Sequence, residues 1–290
     1  MTKLKSIRQT FLPDEGCLFV KTDYSQIEDR IGKMYCGTDR MVLLANSKPW
    51  EYDVHSDNAV LIFGNEVIDL PKFKFKLYRY LGKKVVHASW RKMGGKTMSQ
   101  AVSKDTNGDV YMHPARCDRL IKIFLNKNPE IQDIYFPYVN NLVYSTGVLT
   151  NSWGRRYIVK GIRIDDDVLR GCYSYFMQSE GAGWTNQYLL LPGNKYMFDK
   201  YNKPLNLQIH DEVVASVPPE GLYDYCVYLK AEGEVEREIP AGSGLKLSVP
   251  LGITISDTLY GGLEFKRFPE DKTLFESKVQ DYFGDLLGRL

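Results

Sequence analysis

Carboxylates stand at the ends of two strand-like runs in this chain of 290 residues. Asp23 follows the apolar run Cys17-Leu18-Phe19-Val20, and Asp211-Glu212 separates the alternating Leu205-Asn206-Leu207-Gln208-Ile209 from the apolar Val213-Val214-Ala215-Ser216-Val217. If one sheet edge gathers these acids, they repel one another unless cations neutralise them. A site built of oxygen donors suits Mg²⁺, which takes one or two carboxylates and fills its shell with water and substrate phosphates. A basic helix beside such a site would equip it for phosphoryl transfer. On spacing alone, strand-end acids such as these are more often ordinary turn residues.

Positioning these groups requires a sheet and helices, and the hydrophobic pattern supplies both. A short buried strand is predicted over 16–22. A helix should follow, with Ser25 as N-cap, Gln26 and Glu28 in its first turn, and Ile27, Ile31, Met34 and Tyr35 on its apolar stripe. Further helices are predicted over 54–63, 75–93 (ended by Gly94-Gly95), 114–125 and 129–144, with Pro129 suited to a first helical position. A short hairpin is expected at 147–150 and 156–159. A helix over 166–191 follows, its Gly171, Gly181 and Gly183 leaving room for another backbone. A hairpin with the acids at its tip, a helix over 221–238 and one or two strands within 245–255 complete an α+β chain with a mostly antiparallel sheet.

The net charge of +2 conceals a segregation. Residues 72–127 hold 14 Lys/Arg against 3 Asp/Glu, a local +11, and the remainder sums to −9. A basic block in an acidic frame fits a polyanionic partner, although a solvated helix surface gives the same signature. The 43% apolar and 26% charged fractions exclude disorder and collagen-like repeats. No apolar run approaches the ~20 residues of a membrane helix, and residues 1–11 are too polar for a signal peptide. Five scattered cysteines without a C-x-x-C fit a reducing, cytoplasmic setting. His113-x-x-x-Cys117 alone has metal-like spacing, and zinc ordinarily needs four ligands.

The strings themselves carry more. Asp23-Tyr24-Ser25-Gln26-Ile27-Glu28-Asp29-Arg30 closely resembles motif A of the family A (DNA polymerase I-like) DNA polymerases, D-Y-S-Q-I-E-L-R. Gln208-Ile209-His210-Asp211-Glu212 resembles motif C with its H-D-E core, and Arg79-x-x-x-Lys83, inside the basic block, resembles the start of motif B. Other landmarks fall in register: Ile7-Arg8-x-x-Phe11 with Gly16, Asp53-Val54-His55 with Ile62-Phe63-Gly64, Gly154-Arg155-Arg156, Arg170 with Gln178, and Val249-Pro250-Leu251 before Ile253. Residues 264–290 show no such resemblance.

The resemblance implies an α+β right-hand fold, with palm over 1–35 and 151–263, helical fingers over 36–150, and an extension over 264–290. It implies that Asp23, Asp211 and the Tyr24 carbonyl hold two Mg²⁺ ions, flanked by Glu212. Arg79, Lys83 and His55 would grip a deoxynucleoside triphosphate, with Lys83 the acid for the leaving pyrophosphate, and Glu28 would crowd a ribose 2′-hydroxyl. Arg8, Arg155, Arg170, Gln178 and His210 would contact the DNA primer-template.

Two departures stand out. Where motif B carries an aromatic and then Tyr-Gly, this chain has His87 and then Arg91-Lys92 at the nucleotide-binding face; the stretch Gly82 to Ser89 with His87 resembles a phage branch of the family, from which the missing Tyr departs as well. Arg91 is expected to pair with Glu28 in place of that Tyr. Asp29 replaces the Leu of motif A and is expected on the outer helix face. Only 22 residues precede Asp23, too few for a thumb or exonuclease, so a fragment or one chain of a split polymerase is expected, with a separate polypeptide supplying the missing parts and the host cytoplasm as setting if phage-encoded. Val279, Phe283, Leu286 and Leu287 would dock on such a partner. Two other readings stay open: a polymerase-derived DNA-binding or structural subunit with impaired catalysis, and a two-metal nuclease.

Overall fold

The computed structural model describes residues 7–265, 267–284 and 287. In chain order the elements are β1 (Leu18–Tyr24), α1 (Ile27–Cys36), α2 (Asp39–Asn46), α3 (Val54–Phe63), α4 (Lys72–Trp90), α5 (Gly95–Asp105), α6 (Pro114–Lys127) and α7 (Phe136–Ser145). There follow β2 (Val148–Thr150), β3 (Arg156–Ile158), α8 (Asp166–Thr185), α9 (Leu191–Tyr201), β4 (Leu207–Ile209), β5 (Glu212–Val217) and α10 (Leu222–Gly233). The last are β6 (Arg237–Glu238), β7 (Lys246–Leu247), β8 (Leu251–Ser256), β9 (Leu263–Phe265) and α11 (Lys272–Phe283). Among the described residues no helix is long and apolar enough to cross a membrane.

The chain divides into two compact units. Unit 1 comprises the residues up to Ser25, Gly181–Arg237 and those from Ser248 onward. Its centre is a five-stranded sheet of order β4-β5-β1-β8-β9, and every pairing is antiparallel. Strand alternation sorts β1 into two faces. Leu18 and Val20 enter a core with Ala215, Val217, Ile253 and Ile255. Phe19, Lys21 and Asp23 face the other way, and Phe19 packs there with Val214 and Leu259.

Unit 2 comprises Gln26–Glu180 and Glu238–Leu247. It is mainly helical, with the small hairpin β2–β3. The segment Glu238–Leu247 is tied to α2, where Asn46 Nδ2 donates to Lys246 O at 3.0 Å. Helices α3 and α4 pack closely, and Asn58 Nδ2 donates to Gly82 O at 2.9 Å. The α+β expectation holds, as do α3, the β2–β3 hairpin and the β4–β5 hairpin.

Several local expectations need correction. Ser25 is not the N-cap of α1: the helix begins at Ile27 after Gln26, which takes a left-handed conformation (φ 59°) without capping. The Gln26 side chain is engaged elsewhere, donating to Asp53 Oδ1 at 3.0 Å and accepting from Val54 N at 3.3 Å. Helix α4 ends at Trp90, before left-handed Lys92 (φ 50°), and Gly95 opens α5 instead of ending α4. The expected helix over 129–144 starts with a π-helical turn, Ile131–Tyr135, and α8 likewise gives way to one at Asn186–Leu190. Beside Gly171 the nearest atom is the Tyr157 hydroxyl and not a backbone. Helix α10 stops at Gly233.

Asp29 does not lie on an outer face. It is buried, paired with Lys33 one turn later and accepting from Trp90 Nε1 at 2.9 Å. Val279 and Phe283 do not wait for a partner: with Phe275 they are buried in the unit 1 core, and Leu287 packs against it. Burying such side chains stabilises by about 1.5–3 kcal/mol each. Leu286 lies outside the described residues.

Candidate active site

In unit 1 the sheet register assembles the acids. Asp23, exposed at the end of β1, is the direct cross-strand partner of Glu212 on β5 and of Gly252 on β8. Residues paired in this way project from the same face, with Cβ atoms ~4.5–5.5 Å apart. Asp211 is next to Glu212 in a two-residue hairpin loop, because Ile209 pairs with Glu212 and only His210 and Asp211 intervene. His210 has φ 57°, the positive value that a tight hairpin of this length requires, and its side chain is exposed. Gln208 Nε2 braces the loop, donating to Asn186 Oδ1 at 3.0 Å and to His210 O at 3.4 Å.

Lys21 adds a cation on the same face as Asp23, two residues earlier. It is buried, and its ammonium donates to Gly261 O at 2.5 Å and Leu259 O at 3.4 Å. Burial lowers the Lys21 pKa while the Glu212 charge raises it. Burial raises the Glu212 carboxyl, and the charges of Lys21 and of Arg8, from the turn Ile7–Thr10, oppose that rise. Lys21 was missed from sequence. Its signal was a charged residue inside an apolar strand in phase with Asp23. Tyr24, also on β1, is buried; its hydroxyl donates to Gly233 O at 3.2 Å, so its side chain is structural.

The donors in unit 1 are all oxygens: the Asp23 and Asp211 carboxylates, the Glu212 carboxylate and the Tyr24 carbonyl. Among the described residues no three His, Cys, Asp or Glu side chains converge as a ready metal cage. Gly252 keeps space beside Asp23, since a Cβ there would lie 2.7 Å from its Oδ1. An exposed carboxylate with open space beside it, among donors that are all oxygens, suits an ion that completes its shell with water and phosphate, as Mg²⁺ does.

In unit 2, α4 presents Arg79, Lys83 and His87 at intervals of four residues, the spacing that stacks side chains along one side of a helix, and Arg91, its C-cap residue, follows four residues after His87. The expected pairing of Arg91 with Glu28 is present: Arg91 Nη2 donates to Glu28 Oε2 at 3.1 Å and Oε1 at 3.3 Å. His87 Nδ1 lies 3.1 Å from Glu28 Oε2. Burial alone would raise the Glu28 carboxyl, but the hydrogen bonds and charges of His87 and Arg91 prevail and pull it down to about 2.

Arg79 is held by Asp53, with Nε 2.7 Å from Oδ2. Asp53 also caps α3, accepting from His55 N at 3.0 Å and Ser56 N at 3.4 Å. His55 is 5% exposed and stacks on His87 with ring centroids 5.9 Å apart. Burial, together with the His87 and Arg79 charges, lowers His55 to about 3 against the pull of Asp29 and Asp53, so at neutral pH it offers hydrogen bonds and no charge. Its Nδ1 meets no hydrogen-bond partner among the described residues. Lys83 is exposed and makes no ion pair among the described residues. Arg155, Arg170 and Gln178 do not bond to this cluster. The Arg155 and Gln178 side chains are exposed, and Arg170 pairs with Asp167 on α8.

The comparisons with known proteins bear on most of the chain. The model of DNA polymerase family A matches residues 1–258. DNA polymerase I of Caldicellulosiruptor bescii is 20% identical over 266 residues, 88% of this chain and 28% of that protein. DNA polymerase I of a Synechocystis species is 25% identical over 265 residues, 85% of this chain and 24% of that protein. The chain thus spans about a quarter of the length of these curated relatives. Among solved structures, the POL domain of Pol1 from M. smegmatis, in complex with DNA primer-template and dNTP, superposes with a TM-score of 0.67 at 15% identity, over 87% of this chain and 42% of that one. The fold is that of a polymerase domain.

Proposed function

This chain belongs to DNA polymerase family A, and on that premise we propose that it carries out template-directed transfer of a deoxynucleotide to a primer 3′-hydroxyl. The observation that carries the reading is the disposition of the acids: Asp23 exposed opposite Glu212, with Asp211 beside Glu212 in a braced loop.

Asp23, Asp211 and the Tyr24 carbonyl would hold two Mg²⁺ ions, with Glu212 flanking. Ions held there would supply charge that lowers the pKa of the primer hydroxyl and offsets charge on the triphosphate. The primer 3′-hydroxyl gives up its proton to water, its oxygen forms a bond to the α-phosphorus, the bond from that phosphorus to the pyrophosphate oxygen breaks, and Lys83 donates a proton to the departing pyrophosphate and regains one from water. Arg79, oriented by Asp53, binds phosphate oxygens, and neutral His55 contributes a hydrogen bond without charge. Glu28, clamped by His87 and Arg91, crowds a ribose 2′-hydroxyl. Arg8, Arg155, Arg170, Gln178 and His210 contact the primer-template. The His87-bearing string of motif B supports a phage-type member.

A ternary-complex assay tests this reading before any chemistry occurs. With a dideoxy-terminated primer-template, the deoxynucleoside triphosphate complementary to the next template base should tighten DNA binding, and the other three should not. Equal effects of all four, or none, would contradict it.

A further inference from the structure

The Glu28–Arg91 pair is the outer end of a buried junction between α1 and α4. Asp29, which follows Glu28, and Trp90, which precedes Arg91, meet inside unit 2, where the indole Nε1–H donates to Asp29 Oδ1 at 2.9 Å. The indole is fixed on its other sides as well. Its six-membered ring lies against α1 at Gly32, where an added Cβ would come within 3.0 Å of three ring carbons. Tyr135 meets it edge-on, with centroids 5.4 Å apart and planes at 84°. Asp29 is also paired with Lys33 on its own helix, and both are almost fully buried. The Lys33 ammonium lies 4.8 Å from the Tyr52 ring centroid.

A buried carboxylate is costly unless it is both paired and hydrogen-bonded. Asp29 has one partner from α1 and one from α4, so both are kept at only one relative setting of the two helices. That same setting aligns Glu28 with His87 and Arg91. Where motif A of the family has Leu, this chain has an acid, and it meets an indole on α4 rather than solvent.

We propose that Asp29 and Trp90 are positioning residues for sugar selection, a pin between α1 and α4 that holds Glu28 in register with His87 and Arg91. Neither residue touches the nucleotide; both act through Glu28. The inference rests on the reading that Glu28 faces the sugar of an incoming nucleotide.

Trp90→Phe keeps the ring packing and removes the N–H donor. Asp29→Asn keeps an acceptor and removes the charge facing Lys33. Two readouts apply: the ratio of kcat/KM for a deoxynucleotide over the matching ribonucleotide, and the titration midpoint of the Glu28 carboxyl by ¹³C NMR, which needs no turnover. Trp90→Phe is expected to lower the sugar preference by about tenfold, the worth of one hydrogen bond to a charged group, and to raise the Glu28 midpoint. Val139→Ala, a buried truncation elsewhere in unit 2, should lower stability and move neither readout. Folded Trp90→Phe and Asp29→Asn proteins with wild-type preference and midpoint would overturn the pin. If the wild-type chain incorporates nothing, the polymerase reading fails, and the Glu28 midpoint alone decides the pin: a rise on Trp90→Phe supports it, and no change refutes it.

Discussion

Arg91 holds Glu28 through one guanidinium nitrogen placed 3.1 and 3.3 Å from the two carboxylate oxygens, at the C-cap of the helix that carries Arg79 and Lys83. An acid that is the steric gate in the proposed mechanism is therefore fixed by charge. Its partners are His87 from α4 and Arg91, the residue that caps that helix.

This arrangement sets a pH dependence. Glu28 falls from an ordinary 4.5 to about 2 on folding. A depressed carboxyl contributes stability that is fully present above the unfolded value and is lost as pH falls through the folded one, here between about 5 and 2. The shift corresponds to on the order of 3 kcal/mol. Arg91→Ala should cost about 1–2 kcal/mol at pH 7 and little near pH 2, read by urea unfolding at both values. A loss that is the same at the two pH values would exclude this origin.

Asp53 does two things that substitution can separate. Asp53→Asn keeps an acceptor for the His55 and Ser56 amides but loses the ion pair to Arg79, so stability should change by less than about 1 kcal/mol while KM for the nucleotide rises. Asp53→Ala should add the loss of the helix cap, about 1 kcal/mol more. Thermal unfolding and steady-state kinetics of the two variants check the separation.

Gly82 allows α4 to approach α3. An added Cβ would lie 2.4 Å from His55 O and 3.0 Å from Ala59 N, both backbone atoms that cannot step aside. Gly82→Ala should therefore destabilise by about 1–3 kcal/mol despite the better helix propensity of alanine, and should displace His55 along with α3. A neutral or stabilising result in chemical denaturation would show that the helices separate freely.

The legible parts of this molecule were those set by local pattern. Asp23 and Asp211-Glu212 could be placed because a strand followed by acids announces itself within ten residues, and α3 because Asp53 caps it locally. The errors arose from distant partners. Ser25 looked like a cap, but Gln26 takes the left-handed position and spends its side chain on Asp53, 27 residues away. Asp29 read as exposed because the donor that keeps it inside, Trp90, lies 61 residues away. Val279 and Phe283 were correctly read as an apolar helical face; what covers that face is the sheet core of their own unit. Lys21 was hidden in an apolar strand, and only the register with Glu212 and Asp23 gives it meaning.

Incorporation by the proposed metal-holding acids is the decisive measurement. A primer-template is extended in Mg²⁺ and deoxynucleotides by the natural chain, by Asp23→Asn and by Asp211→Asn, each alone and with candidate partner chains. Loss of several kcal/mol of charge stabilisation should slow either variant by about a thousandfold or more, with DNA binding retained. Template-directed incorporation that survives both substitutions would contradict the account.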